Sequence, residues 1–284
     1  MHSGWRTPAL IVIVALILGP TIPFSPPHLA RATSSPSALD GLGSSINCGT
    51  GLATGSPPFL SCVSDSISTT SAGDAIIVLA ECGYRVPCYD NISSVFDQTG
   101  LSFVPRIATP PNGQLMEYYA VAPTILMSDN VTVEFYRDPY CCIMQMLVLA
   151  VSGVSASATF DPSPSIPATS TCNVTSTAYN GSCSITANTS TSGFVFATVA
   201  INDDPSCIGT PSGFARTYAD SHSFPSDSSW DIYYATDPVP PQSLTFNCDG
   251  TQATGMLLDA LSLGGAADPP AAPGGGAGRS PLRL

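Results

Sequence analysis

The stretch MEYYAVAPT (Met116–Thr124) returns in altered form as WDIYYATDP (Trp230–Pro238), so that Tyr118 and Tyr119 are answered by Tyr233 and Tyr234. Working outward, the neighbours repeat too. Upstream, GDAIIVLA (Gly73–Ala80) matches GFVFATVA (Gly193–Ala200), and SFVPR (Ser102–Arg106) matches GFART (Gly213–Thr217). Downstream, VTVEFY (Val131–Tyr136) matches SLTFNC (Ser243–Cys248), and MLVLAVSG (Met146–Gly153) matches MLLDALSL (Met256–Leu263). Runs rich in β-branched and aromatic residues fit any pleated, half-buried surface, so each match alone is ordinary. The shared order of five segments is what points to an internal duplication.

An array of about five strands is too small to bury its faces alone. The expected fold is therefore all-β: a two-sheet, jelly-roll-type antiparallel sandwich over residues 33–265, whose halves, about 52–153 and 190–264, stack or interleave. Side chains alternate across a strand, so each tyrosine pair is expected to send one ring to the core and one outward. Pro123 and Pro238 then end both strands by withholding a ladder donor. Outward rings among Tyr118, Tyr119, Tyr233 and Tyr234 would also make a platform for stacking sugars. The Pro- and Ser-rich crossing Ser152–Ser182 is expected to lie on the surface, and residues 33–72 to be an entry segment with one strand near Phe59–Val63. Residues 266–284 read as a Pro/Gly/Ala tail unable to form a core.

Composition narrows the partners. Only 10% of the 284 residues are charged, while 27 prolines and 24 glycines suit short strands joined by many turns. All eight basic residues are Arg, and the formal charge is -12. Counterion release from a phosphate backbone needs clustered cations, so nucleic acid is not an expected partner. The 20 acidic residues divide into 17 Asp and 3 Glu, a ratio that favours turns over helices.

The N-terminus carries an export signal: Arg6, an apolar run Ala9–Leu18, and Ala30-Arg31-Ala32 as an A-x-A cleavage site. The run is too short to span a bilayer, for which roughly 20 apolar residues are needed. An uncleaved N-terminal anchor extending to Phe24 is the alternative for residues 1–32. Either way the expected location is extracellular or at the cell surface. All ten cysteines follow the cut, and an even number in an exported chain suggests disulfides. Proximity favours Cys82 with Cys88 and Cys172 with Cys183, while adjacent Cys141 and Cys142 point to opposite faces and need different partners. Five N-x-[ST] sequons, at Asn91, Asn130, Asn173, Asn180 and Asn188, are candidate glycosylation sites.

The run GDAIIVLA, then ISSVFDQTGLSFVPR, YYAVAP, VTVEFY and LVLAVSG, followed by a shorter second round, resembles the jelly-roll sandwich domains of exported archaeal and bacterial proteins of mostly unknown function. That family is similar to lectin-like and galactose-binding-like sandwiches. The resemblance covers roughly Leu52 to Leu263 and implies adhesion, surface display or carbohydrate binding, with glycans or other envelope proteins as partners and no catalytic residue set. The many cysteines depart from its pattern.

Motifs for chemistry are sparse. If the signal is removed after Ala32, His222 is the remaining histidine, and no G-x-S-x-G elbow presents a nucleophile to it, so a solvated loop histidine is expected. No C-x-x-C pair suggests zinc. Glu81, Glu117 and Glu134 form no E-x-D-x-E-type strand, although paired carboxylates are what glycoside hydrolysis needs. No cofactor is implied; calcium is the one ligand with a candidate place, at Asp203 and Asp204 in INDDPS, where loop oxygens follow a strand. The expected function is a non-catalytic surface or secreted module for binding, adhesion or envelope structure. Its rival is a secreted hydrolase of glycans or esters.

Overall fold

In the computed structural model the described residues are 36–45, 59–82, 92–109, 115–136, 144–171, 182–190, 193–202, 213–222, 228–236, 242–249 and 253–264, all within the unit Thr33–Leu284. The regular elements among them are strands. The first half holds β1 (Ala38–Ser45), β2 (Phe59–Val63), β3 (Ala75–Cys82), β4 (Ile92–Asp97), β5 (Val104–Ala108), β6 (Leu115–Val121), β7 (Val131–Tyr136) and β8 (Met144–Ser152). The second holds β9 (Ala168–Thr171), β10 (Ser182–Thr189), β11 (Val195–Asn202), β12 (Ala215–His222), β13 (Ser228–Ala235), β14 (Gln242–Asp249) and β15 (Ala253–Ala260). Every strand pairing is antiparallel. The chain is an all-β antiparallel sandwich.

Among the described residues four sheets form, rather than two. The first half makes a five-stranded sheet, β1-β8-β3-β6-β5, and a three-stranded one, β2-β7-β4. The second makes β12-β13-β11-β15-β9 and β10-β14. Written from its other edge, the second large sheet runs β9-β15-β11-β13-β12, which follows the first large sheet strand for strand. Each of the five repeated segments thus occupies a corresponding place in its half. The boundaries shift, however: the first half begins at Ala38 and the second at Ala168, not at 52 and 190.

Three apolar cores hold the layers together. Val78, Met146 and Met116 of the first large sheet pack against Val131, Val133 and Phe135 of its small partner. Val199, Tyr233 and Met256 pack likewise against Ile185 and Phe246 in the second half. Between the two large sheets lies a central core, in which Ile77, Leu79, Leu147 and Leu149 meet Phe194, Phe196, Trp230, Ile232 and Leu257. The large sheets are therefore inner layers, covered on both faces. That explains β3, AIIVLAEC, buried at every position, against β7, VTVEFY, whose alternation leaves one face to solvent.

The cores also test the register of the repeat. Tyr118 and Tyr233 face the outer cores, while Tyr119 and Tyr234 face the central one. Met146 and Met256 face outward, Leu147 and Leu257 inward, so the β8 and β15 match keeps its faces as well. Two matches do not. GDAIIVLA laid on GFVFATVA pairs Ile77, in the central core, with Ala197, in an outer one. VTVEFY laid on SLTFNC pairs buried Phe135 with exposed Asn247. A one-residue slip repairs both, because strand side chains have a period of two: Ile77 then corresponds to Phe196, and Val133 to Phe246.

Irregularities recur in place. In β5 the ladder to β6 skips Arg106, between Pro105 and Ile107, beside Tyr118; in β12 the ladder to β13 skips Thr217, between Arg216 and Tyr218, beside Tyr233. The glycines opening β3 and β11 act differently. Gly73 has a φ of 90°, a turn conformation that suits glycine, whereas a Cβ on Gly193 would lie 1.9 Å from the Leu261 carbonyl oxygen.

Strands β1, β9 and β10 were not expected. The sequence ALDGLGSS of β1 has poor strand propensity, but its glycines are needed: a Cβ on Gly43 would lie 2.7 Å from the Asp65 carbonyl oxygen. The crossing Ser152–Ser182 is not merely superficial. Phe160 bridges to Leu261, Ile166 is buried, β9 pairs with β15, and the buried Asp161 carboxylate accepts from the Ser163 and Ser190 amides at 2.8 and 3.0 Å.

Candidate functional site

The most concentrated polar chemistry lies in the seam between the inner sheets. Glu117 on β6 and Asp259 on β15 are both fully buried, and Arg106 reaches them from the β5 bulge. Its Nε donates to Asp259 Oδ2 at 2.9 Å and its Nη2 to Oδ1 at 3.5 Å, a fork on one carboxylate. The guanidinium carbon lies 3.9 Å from the centre of the Phe160 ring, which in turn meets Tyr119 edge to face at 4.7 Å. Burial, followed by the charge of Asp259, pushes the Glu117 carboxyl well above its usual range, with Arg106 opposing. Burial also raises Asp259, to about 6, against the pull of Arg106. Glu117 is thus a neutral acid beside an ionised, Arg-bound partner. With no surface on either carboxyl, the triad is a fastening and not an open active site.

Two further carboxyl pairs have the same form. Asp40, which the β1 ladder skips between Leu39 and Gly41, accepts from the Thr70 amide and, at 2.9 Å, from its hydroxyl. Its neighbour Asp74 is buried just ahead of β3, and burial, helped by Asp40, raises it to about 7. Asp97, ending β4, accepts from the Gly100 and Leu101 amides at 2.8 and 2.7 Å and from the Thr99 hydroxyl. That hydroxyl also lies 3.5 Å from Asp129, which burial and Asp97 raise to about 6.

Among the described residues, two surfaces open to a partner are the outer faces of the small sheets. On the first, Val63, Thr132 and Phe96 form one row across β2, β7 and β4; Ser61, Glu134 and Ser94 form the next, with Ser94 donating to Glu134 at 2.8 Å. Val63, Phe96 and Tyr136 are each at least two-fifths exposed. On the second, the rows are Ser184 with Asn247, Thr186 with Thr245 and Asn188 with Ser243, all exposed and uncharged. The Thr186 and Thr245 hydroxyls hydrogen-bond at 2.8 Å.

The expected sites fare unevenly. The tyrosines do take opposite faces, but both faces are covered: Tyr233 is fully buried with its hydroxyl bonded to Asp231 at 3.0 Å, and Tyr118, Tyr119 and Tyr234 are half-buried. They do not form an outward platform; among the described residues Phe96 and Tyr136 are the exposed aromatic rings. Cys62, Cys82, Cys183 and Cys248 are each disulfide-bonded, while Cys88 and Cys172, the expected partners of Cys82 and Cys183, lie outside the described residues. So do Asp203 and Asp204, and Asn91, Asn173 and Asn180. Among the described residues no group of three His, Cys, Asp or Glu could hold a metal. Asn188 is exposed, whereas the Asn130 amide donates to the Ser64 carbonyl at 2.7 Å. His222 ends β12 rather than standing in a loop.

Sequence reasoning weighed Glu117 only as one of three isolated glutamates, and passed over the other five carboxyls and Arg106. The signal was a lone acid inside an apolar run, Glu117 in LMEYY and Asp259 in LLDAL, since a buried charge demands a partner. No protein-family model matches the chain, and neither a curated protein nor a solved structure matches it.

Proposed function

We propose that this chain is an exported, disulfide-stapled β-sandwich that works outside the cytoplasm as a non-catalytic binding or envelope-structural module. The observation that carries this reading is that the described cysteines are cystine halves set in the outer cores, two per half. Such bonds persist in oxidising compartments and are rare where glutathione keeps thiols reduced. The signal-like N-terminus agrees with this.

The finer reading of the fold is two tandem jelly rolls. Within the first half, the first strand pairs with the eighth, the third with the sixth and the second with the seventh, which is the nested order of a jelly roll. The second half repeats that order, which supports duplication. Because inner sheets have no free face, contact with glycans or envelope proteins falls to the outer faces. The first carries exposed rings beside hydrogen-bonding groups, in Phe96, Tyr136, Ser94 and Glu134.

The rival, a secreted hydrolase, draws on the carboxyl pairs of unequal acidity, since such chemistry divides its roles between two carboxyls. One experiment separates them: glycan-array binding and hydrolysis assays on the wild-type chain, Phe96→Ser/Tyr136→Ser and His222→Ala. Binding without turnover, lost in the aromatic double variant, is the expected result. Hydrolysis with a sharp pH optimum, abolished by His222→Ala, would overturn the proposal.

A further inference from the structure

We propose that the carboxyl pairs Asp40–Asp74, Asp97–Asp129 and Glu117–Asp259 act together as proton-held clamps, so that the fold is tightest in mildly acidic surroundings and loosens as the medium turns alkaline. The geometry carries this. Both oxygens of Glu117 and Oδ2 of Asp74 are buried with no hydrogen-bond donor upon them, a costly place for a negative charge. Each acid instead has a second carboxyl as neighbour, and burial beside another carboxyl favours the protonated form. Thr99, lying between Asp97 and Asp129, draws the third pair together. Two of the six partners depend on bulges, which re-aim side chains: Asp40 is itself a bulge residue, and Asp259 is met by Arg106 from one.

The charged and titratable groups around each pair are few. Asp40 and Asp74 act on each other, with the Thr70 amide and hydroxyl as the added donors. Asp97 and Asp129 act on each other amid the amides of Gln98, Gly100, Leu101 and Asn130. Glu117 and Asp259 face Arg106, with Tyr119 on the same side of β6. Among the described residues, only the last pair has a cation.

The sign follows from proton linkage. Asp74 is raised to about 7, Asp129 and Asp259 to about 6, and Glu117 well above its usual value. A raised group contributes stability that is fully present below its unfolded value, roughly pH 4, and is lost as pH rises through the folded value. Burial works against ionisation of Asp40 and Asp97 too, but the Thr70 donors and Asp74, or Thr99, Asp129 and loop amides, hold them below their usual values. Their contribution is lost only below about pH 4. The optimum therefore lies near pH 4, and stability falls from there as pH rises through 6 to 7.

The test is urea unfolding of the full chain, disulfides intact, from pH 3 to 9, for wild type, Asp74→Asn, Asp129→Asn, Glu117→Gln and the triple variant. A carboxamide keeps the shape of the protonated acid and its donor. From pH 5 to 8 the wild-type unfolding constant is expected to rise by about a hundredfold or more, and each substitution to remove about tenfold of that rise. General repulsion among the acidic residues would survive the substitutions, so a profile unchanged in the triple variant overturns the proposal. Should a variant fail to fold, carbon NMR titration of wild-type carboxyls decides: resonances titrating near pH 6 to 7 are expected, and all midpoints below 4.5 would contradict it.

Discussion

Arg106→Met is expected to destabilise the protein by about 3 to 5 kcal/mol at pH 8, the usual cost of leaving one member of a buried ion pair without its partner. Asp259 has no exposed surface and receives both forks of Arg106. Its other neighbour, Glu117, is kept protonated first by burial and then by the charge of Asp259, so losing the guanidinium leaves an acid and an uncompensated carboxylate in the seam. The defect is pH-dependent. Arg106 holds the Asp259 value down, so without it the folded carboxyl takes up its proton at higher pH. Below about pH 5 Asp259 is then neutral, and the penalty shrinks to a lost hydrogen bond of roughly 1 to 2 kcal/mol. Urea midpoints at pH 5 and 8 measure the difference. The double variant Arg106→Met/Asp259→Asn is expected to be more stable at pH 8 than Arg106→Met alone, because nothing charged remains to be left unpaired.

The second large effect lies deeper in the same seam. Trp230→Ala is expected to cost about 3 to 5 kcal/mol, the range for emptying a buried aromatic site. Trp230 is fully buried, opposite Ala200 on β11, and its indole N–H donates to the Thr198 hydroxyl. The cavity lies among Leu79, Leu115, Ile232 and Leu257, on rigid strands of two sheets that cannot close over it without shifting a layer. Trp230→Phe fills most of the volume but leaves Thr198 without that donor, and a loss of about 1 to 2 kcal/mol is expected. Thermal unfolding of the two variants side by side checks the order. Equal losses would mean that the hydrogen bond, and not packing between the sheets, dominates at this position.

Both effects concern the seam, which the sequence displayed only in part. The doubled tyrosines mark β6 and β13, and their faces follow from alternation alone. Which face met solvent was not legible, because a strand covered on both sides reads as one apolar run. In AIIVLAEC nothing distinguishes the side facing Phe135 from that facing Phe196, so the match to β11 slipped by one residue. For β7 and β14 the information was present: Val131, Val133 and Phe135 alternate in VTVEFY as Leu244, Phe246 and Cys248 do in SLTFNC, and aligning those alternations gives the observed faces.

The unrecognised strands failed for another reason. In β1 the residues are small because other backbone lies against them, and in β10, SCSITANT, apolar positions alternate with hydroxyls that resemble loop composition. The carboxyl pairs join residues far apart in the chain, such as Asp40 with Asp74 and Glu117 with Asp259, and no local pattern encodes such a meeting. What was legible was the anomaly of acids in apolar runs. The partner became visible only with the sheets stacked.

The measurement that bears most directly on the account is intact mass and peptide mapping, with and without reduction, on protein from its native host. The account predicts a mature start at Thr33 and no thiol open to alkylation before reduction, with all ten cysteines open after it. An unprocessed N-terminus with free thiols would contradict it.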